Sequence, residues 1–244
     1  MRAFFLALTF LSVIPVPSSF WKGEERIERT LQWFPVAGAI IGGLTFLFYY
    51  LVSHLLSAKV SFVFSLFFYH LLNGGLHLDG LADFSDACFG AKKNESRFRE
   101  ILKDSRIGAM GVLALLFYFL TIYAAFESIS VTPSFFITLG MSGRTAIVIF
   151  ATMSKSLFSD GLGRLFIERS GKRELFIALG SYFIVLAFLG ESFFLTGFVV
   201  LLCSFVFKRY IIRRFGGFSG DIFGAGCSLV EILTVLLLAG LRLS

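Results

Sequence analysis

Charged residues are scarce in this chain, and their scarcity indicates its class. Asp, Glu, Lys and Arg make up 16% of the 244 residues, whereas 57% are hydrophobic and the mean hydropathy is +0.84. Because these values lie outside the usual range of soluble globular domains, the sequence predicts an integral membrane protein. The net charge of +6 is then expected to reflect orientation and contact with lipid headgroups. No soluble part is left over to bind nucleic acid, which is not expected as a partner.

Cysteine is also rare. Cys88, Cys203 and Cys227 are odd in number and lack the paired spacing of metal ligands, so neither a disulfide framework nor a zinc site is indicated. Internal repeats are missing as well, and the two-halves symmetry of many transporters is therefore not evident. We expect one integral membrane domain over residues 1–244, and the sequence leaves a homo-oligomer open.

Long apolar runs define the expected architecture. The fold class predicted is all-α, a polytopic membrane bundle of about seven transmembrane helices. The candidate spans cover about 34–56, 60–76, 108–129, 133–153, 174–190, 193–210 and 222–241. The first apolar run has only about 14 residues, fewer than the roughly 20 that a spanning helix needs. Since Pro15 and Pro17 end this run, we expect an interfacial or re-entrant helix there.

Basic residues indicate how these spans are oriented. When the connections are assigned alternately to two sides, Lys59 and Arg242 fall on one side. The opposite side receives Lys22, Arg26, Arg29, Lys92, Lys93, Arg97, Arg99, Lys103, Arg106, Lys155, Arg164, Arg169, Lys172, Arg173, Lys208, Arg209, Arg213 and Arg214. Because cytoplasmic loops carry the positive excess, the second side is predicted to be cytoplasmic. The candidate site described next is therefore expected to face the cytoplasm.

Three aspartates form the most informative motif. If the chain is helical from Leu78 onward, Asp79, Asp83 and Asp86 are spaced i, i+4 and i+7 and share one face. Three carboxylates this close repel one another unless a cation lies between them, and oxygen ligands favour Mg²⁺ or Mn²⁺. The alternative is a solvated helix face or an acidic first turn. We predict a Mg²⁺ site that also handles phosphates.

Polar residues around this motif extend the candidate site. His77, two residues before Asp79, is predicted as a general base or a phosphate donor, with an interfacial or capping histidine as the alternative. Residues 95–106 predict an amphipathic helix on the cytoplasmic face. At its end, Asp104 and Arg106 flank a serine and are predicted to aim a charge pair into the metal site.

Two distant features are predicted to complete the site. The loop 215–221 is rich in glycine and leads into the last span, so Gly216, Gly217 and Gly220 are candidates for binding phosphate, and Asp221 for binding the metal. Arg144 interrupts an apolar span, which marks it as a functional candidate that could clamp a phosphate. The alternative for Arg144 is a structural ion pair, with Glu231 as a possible acidic partner.

These residues resemble a known family. The run 74–83 reads Gly-Gly-Leu-His-Leu-Asp-Gly-Leu-Ala-Asp, and it is followed by Asp86, by Asp-Ser-Arg-Ile-Gly at 104–108 and by Gly-Gly and Gly-Asp at 216–217 and 220–221. Together they closely resemble cobalamin synthase, the adenosylcobinamide-GDP ribazoletransferase family, over nearly the whole chain. Two positions depart from the family pattern, with Ala87 in place of glycine and Ser228 in place of glutamate.

The resemblance implies an enzyme integral to the inner membrane that catalyses the last assembly step of vitamin B12. A hydroxyl of α-ribazole, or of its 5′-phosphate, attacks the cobinamide-linked phosphate of adenosylcobinamide-GDP, GMP leaves, and Mg²⁺ is required. Asp79, Asp83 and Asp86 would then bind Mg²⁺, Asp104 would be a further ligand or base, and His77 would take the proton. Arg106 and Arg144 would hold phosphate oxygens.

Other activities remain as alternatives. A CDP-alcohol phosphotransferase also uses an aspartate-rich membrane motif, but its later paired aspartates are missing here. A prenyltransferase would need a second, distant aspartate motif. An ion-coupled transporter would carry its acids inside the spans, whereas these lie at span ends on one side.

Overall fold

Apolar runs fold into helices throughout the part of the chain that the structure describes. The computed structural model describes residues 2–17, 27–92 and 94–241. Four of the basic residues used to predict the orientation lie outside these ranges: Lys22, Arg26, Lys93 and Arg242. The α-helices are α1 (Arg2–Leu11), α2 (Phe34–Ser53), α3 (Ala58–Leu72), α4 (Leu76–Gly90), α5 (Glu95–Ile101), α6 (Ala109–Ala124), α7 (Pro133–Ala151), α8 (Leu162–Arg169), α9 (Lys172–Leu189), α10 (Glu191–Phe215) and α11 (Gly220–Gly240). Short 3-10 helices cover Ile27–Trp33 and Ala125–Ser128. Within these ranges there is no β-strand, and the all-α fold class is confirmed.

Each predicted span contains a helix, but five rather than seven helical stretches are long and apolar enough to cross a membrane. They are Arg29–Ser53, Ala109–Ser128, Pro133–Ala151, Glu191–Phe215 and Gly220–Gly240. The helix α3 has 15 residues, or about 22 Å at 1.5 Å per residue, against a hydrocarbon core of roughly 30 Å. The helix α9 carries Lys172, Arg173 and Glu174 in its first turn. Among the described residues, five of the seven predicted spans therefore meet this criterion of length and composition, and the polytopic helical bundle is confirmed.

The helix α7 forms the centre of the bundle, since nearly all of its side chains are buried. It crosses α2 so closely that a Cβ atom on Gly38 would overlap the carbonyl oxygen of Gly140. A Cβ on Gly42 would likewise overlap the backbone of Phe136. Small residues allow such close backbone approach between membrane helices. The glycines of α2 and α7 thus fix the frame on which the remaining helices pack.

One end of the bundle gathers the short helices. The helix α1 has 10 residues with Ala7, Leu8 and Leu11 buried, too short to cross a membrane as predicted. The helix α5 ends at Ile101 instead of continuing to residue 106, so the predicted amphipathic helix is shorter and Asp104 and Arg106 lie in a turn. These segments surround the first residues of α4 and α11, where the candidate site residues lie.

Candidate active site

The acidic motif lies on a helix, as predicted. The helix α4 begins directly after Gly74 and Gly75, whose φ angles of 60° and 72° belong to the left-handed region that favours glycine. This tight connection turns the chain from α3 into α4 and places the acidic helix at the end of the bundle. Asp79 is exposed, while Asp83 and Asp86 are partly buried.

Close packing between α4 and α11 brings Asp221 beside this motif. A Cβ atom built on Gly80 would lie 2.5 Å from the carbonyl oxygen of Asp221, and one on Gly224 would lie 3.2 Å from the Cα of His77. The first distance is too short for any side chain, and the second is tighter than most Cβ contacts. Two glycines, one on each helix, therefore let the backbones touch at the level of the aspartates.

The electrostatics of Asp83 reflect its burial and the carboxylates nearby. Burial raises the pKa of Asp83 to about 6, and the neighbouring carboxylates of Asp79, Asp221, Asp86 and Asp104 add to the increase. The ion pairs recorded among the described residues join other groups: Lys59 to Glu127, Arg106 to Asp104, Arg144 to Glu231 and Arg164 to Glu168. Negative charge at Asp79, Asp83 and Asp221 is thus left for a cation to neutralise.

The donor chemistry fits an open Mg²⁺ site better than a closed one. Across the described ranges, no three His, Cys, Asp or Glu side chains converge as a preformed metal-binding group. Mg²⁺ commonly retains several waters and is bound by one or two carboxylates together with substrate phosphates. Asp79, Asp83 and Asp221 supply only oxygen donors, which suits such a shared site.

Asp86 has a partner that sequence reasoning missed. Its Oδ2 accepts a hydrogen bond from the backbone N–H of Gly108 at 2.6 Å, and its Oδ1 accepts one from Gly111 at 2.9 Å. These N–H groups belong to the start of α6, where intrahelical acceptors are missing and the helix dipole favours negative charge. Asp86 therefore anchors α6 to α4, and its role as a metal ligand remains a prediction.

Asp104 and Arg106 pair with each other. The guanidinium of Arg106 donates from Nε and Nη2 to the two carboxylate oxygens at 3.0 and 2.7 Å, and the Arg106 N–H adds a third bond at 3.1 Å. These hydrogen bonds lower the pKa of Asp104 to about 2. The arginine side chain is 86% exposed. The pair therefore stands at the surface near Asp83, and its predicted catalytic roles remain predictions.

His77 is buried beside the aspartates: its carbonyl accepts a hydrogen bond from Ser228 Oγ at 3.1 Å, whereas its imidazole has no polar partner among the described residues. Only 3% of the residue is exposed, and neither Nδ1 nor Nε2 has a hydrogen-bond partner among the described residues. Burial lowers its pKa well below the usual value, with the charge of Arg144 as a smaller cause. A neutral imidazole therefore stands ready to accept or donate a hydrogen bond.

A cavity of about 420 Å³ opens next to His77 and Asp221. Its wall comes from α1, the start of α4, Lys103, the segment 156–164, α8 and the start of α11. Lys103 and Arg164 are predicted from the sequence only as basic residues of the cytoplasmic side, and Asp160 is not among the predicted site residues. The glycines and charges at 160–164 were the available signal, although nothing in the sequence connects this segment to residue 77.

The three predicted phosphate-binding glycines have different positions. Gly216 ends α10 with a φ of 84°, and Gly217 packs on the backbone of Lys155 so closely that a Cβ would overlap it. Only Gly220 lines the cavity. The backbone of the loop is largely engaged, since Phe218 donates to the carbonyl of Lys155 at 2.8 Å. Gly216 and Gly217 thus have a structural explanation.

Arg144 lies within the helical core and does not line the cavity. Its Nη1 contacts Glu231 Oε1 at 2.6 Å, and both side chains are fully buried. Glu231 also accepts hydrogen bonds from the hydroxyls of Tyr69 at 2.6 Å and Tyr118 at 2.8 Å. This geometry agrees with the alternative interpretation, a structural ion pair, and the catalytic role predicted for Arg144 remains a prediction.

Membrane-length helices and a carboxylate-edged cavity at one end of the bundle define a polytopic membrane enzyme. Residues 3–239 match the family described as cobalamin-5-phosphate synthase. No solved structure matches the chain.

Named relatives cover nearly the full length. A protein of Clostridium kluyveri is 36% identical over 98% of this chain and 96% of its own length, and is named adenosylcobinamide-GDP ribazoletransferase. Relatives with the same name in Caldanaerobacter subterraneus (34% identical, 97% of each chain) and Listeria monocytogenes (32% identical, 98% of this chain and 97% of the relative) are similar over comparable lengths. The chain belongs to the cobalamin-5-phosphate synthase family and is a transferase.

Proposed function

We propose that this enzyme joins adenosylcobinamide-GDP to α-ribazole, or to its 5′-phosphate, with Mg²⁺ and releases GMP. The relatives' names support the substrates. The observation that carries the chemistry is the proximity of Asp79, Asp83 and Asp221, which form no ion pair with a basic side chain among the described residues. Asp221 also lines the cavity that contains His77.

The bond changes assign a role to each group. A ribazole hydroxyl oxygen forms a bond to the cobinamide-linked phosphorus, the bond from that phosphorus to the bridging oxygen breaks, and GMP departs with that oxygen. Bound Mg²⁺ would neutralise charge on the diphosphate. Asp79, Asp83 and Asp221 would hold the metal. Asp86 fixes α6 against α4 and would be a further ligand.

His77 is the proposed acceptor for the hydroxyl proton. General-base catalysis requires an unprotonated group within reach of the hydroxyl, and the buried imidazole is neutral. Its unpartnered nitrogens provide the acceptor. The proton would reside on the imidazole until it is released to solvent.

The orientation is part of the same proposal. The site shares one end of the bundle with Lys103, Arg164 and the basic end of α10. Since basic loops face the cytoplasm, we assign this end to the cytoplasmic face of the inner membrane, where nucleotide substrates and Mg²⁺ are present.

One assay tests the function directly. Purified protein is given adenosylcobinamide-GDP, α-ribazole or its 5′-phosphate, and Mg²⁺, and both GMP and the cobalamin product are measured. We expect equal amounts of both products, dependence on Mg²⁺, and a loss of about 10²–10⁴-fold in kcat for His77→Asn. No turnover with either nucleoside would contradict the function, and a loss of less than tenfold in His77→Asn would contradict the general base.

A further inference from the structure

We propose that the cavity beside Asp221 is the subsite for the acceptor nucleoside, with its aromatic base against Phe158 and its ribose or phosphate end at Lys103 and Arg164. This inference rests on the proposed function and assigns one of its two substrates to a place in the structure.

The size of the cavity selects between the two substrates. Small-molecule sites commonly measure about 300–1,000 Å³, and the cavity has about 420 Å³. A nucleoside is of a size to enter such a space. A corrinoid with its side chains is several times larger, so it must approach from outside, leaving the cavity to a nucleoside or nucleotide.

The walls suit a flat apolar base. The rings of Phe10 and Phe166 meet edge to face at 4.9 Å and belong to the packed core of the cavity wall. Phe158 instead lies on the connection between α7 and α8, partly exposed, with the Lys103 ammonium 4.6 Å from its ring centroid. An aromatic base can stack on such a ring. The Lys103 ammonium would then contact the ribose or phosphate attached to that base.

The part of the cavity wall near Arg164 suits an anionic group. The N-termini of α8 and α11 meet there, since a Cβ on Gly163 would lie 3.1 Å from the backbone nitrogen of Gly220. Helix N-termini attract anions. Arg164 is held at this part of the wall by Glu168, 2.6 Å from its Nε, and by the carbonyl of Ser159. Two helix ends and two cations thus converge on one space.

His77 shows independently that the cavity is built for a ligand. Its imidazole is buried, lines the cavity and has no partner for either ring nitrogen among the described residues. A buried polar group left unpaired is costly, and a ligand hydroxyl in the cavity would satisfy it. If the attacking hydroxyl comes from the cavity, in-line displacement requires GMP to leave on the side of the phosphorus that faces away from the cavity.

The competing occupant is the guanine nucleotide. Asp160 lies at the cavity wall, and a carboxylate there could accept hydrogen bonds from guanine. The apolar walls and the neighbouring histidine favour the acceptor nucleoside. The experiment separates the two occupants by measuring a KM for each substrate.

The test uses Lys103→Gln and Phe158→Leu, with Lys172→Gln as the control because Lys172 is an exposed lysine that does not line the cavity. For Lys103→Gln we expect KM for ribazole 5′-phosphate to rise about tenfold, the effect of one charge-assisted contact. KM for adenosylcobinamide-GDP should stay within twofold, and KM for unphosphorylated α-ribazole should rise less than KM for its 5′-phosphate. Phe158→Leu should raise KM for both nucleosides about fivefold through lost stacking. Lys172→Gln should match the wild type.

The outcomes are distinct. A rise in KM for adenosylcobinamide-GDP alone would assign the cavity to the guanine nucleotide and overturn the inference. Unchanged KM values for both nucleosides in both variants would also overturn it. Wild-type protein that turns over neither nucleoside would instead contradict the proposed function, whatever the variants do.

Discussion

The backbone of Gly80 touches the backbone of Asp221. A Cβ atom at Gly80 would lie 2.5 Å from the Asp221 carbonyl oxygen and 3.0 Å from its Cα. Carbon atoms in ordinary contact lie about 3.5–4.0 Å apart, so even a methyl group would force α4 and α11 apart. This contact sets the separation between Asp221 and the aspartates of α4.

Gly80→Ala should therefore reduce activity by about 10- to 100-fold, since a misplacement of about 1 Å can have that effect on catalysis. Overpacking should also lower stability by about 1–3 kcal/mol. The matched control is Gly180→Ala, a helical glycine in α9 with open space around it. Both variants are compared by GMP release and by thermal unfolding. Full activity in a folded Gly80→Ala protein would contradict this account of the site.

Asp83→Asn should abolish function while stabilising the metal-free protein. In the folded chain the pKa of Asp83 is about 6, above its usual 3.8, so the folded state favours the protonated carboxyl. The stability that this proton contributes is complete below about pH 4 and is lost as the pH rises through the folded pKa of about 6. Asparagine does not ionise, so the variant avoids that loss. Above pH 6 and without metal, the unfolding temperature of Asp83→Asn should exceed that of the wild type by up to about 4 °C.

The same variant tests the metal. Mg²⁺ should raise the unfolding temperature of the wild type, because a ligand that binds only the folded state stabilises it. It should have little effect on Asp83→Asn, whose GMP release should fall at least about 100-fold. Equal stabilisation of both proteins by Mg²⁺ would argue against Asp83 as a ligand.

The helices and the acidic face were predictable because they depend on local sequence. An apolar run of about 20 residues has few alternatives to a helix in a membrane, and the spacing of Asp79, Asp83 and Asp86 fixes their common face once α4 is helical. The end of α5 at Ile101 was not predicted, since the pairing of Asp104 with Arg106 closes a turn that competes with continuing the helix.

Contacts between distant segments could not be predicted. Asp86 meets Gly108 and Gly111 only because α4 and α6 fold against each other. The cavity joins His77 to residues 156–164 through the packing of α8 on α11. Composition carries no information about such pairings, so the second half of the site emerges only in three dimensions.

Asp86→Ala should act mainly through stability. Removing the acceptor for the Gly108 and Gly111 N–H groups should cost about 1–2 kcal/mol, as for other helix N-caps, or roughly 2–8 °C in unfolding temperature for a chain of this size. Asp86→Asn, which retains one acceptor oxygen, should lose less. Activity of Asp86→Asn is then measured as a function of Mg²⁺ concentration. If the Mg²⁺ concentration needed for activity is unchanged, Asp86 is only a helix cap; if it is raised, Asp86 is a metal ligand as well.

The pair Arg144 and Glu231 permits a test of structural against catalytic function. Both side chains are fully buried, with Nη1 2.6 Å from Oε1, and removing one partner of a buried pair typically costs about 3–5 kcal/mol, because the other charge is left uncompensated. Arg144→Met and Glu231→Gln should each lower stability severely. The double variant leaves no buried charge and keeps an acceptor for Tyr69 and Tyr118, so it should be more stable than either single variant.

Activity of that double variant decides the role of Arg144. Because the guanidinium lies outside the cavity and is bound to Glu231, we expect the folded double variant to retain kcat within about tenfold of the wild type, a change of about 1.4 kcal/mol in the barrier. A folded double variant whose kcat falls 100-fold or more at unchanged KM would instead show that Arg144 acts on the transition state. Thermal unfolding and GMP release, measured on the same preparations, separate loss of fold from loss of chemistry.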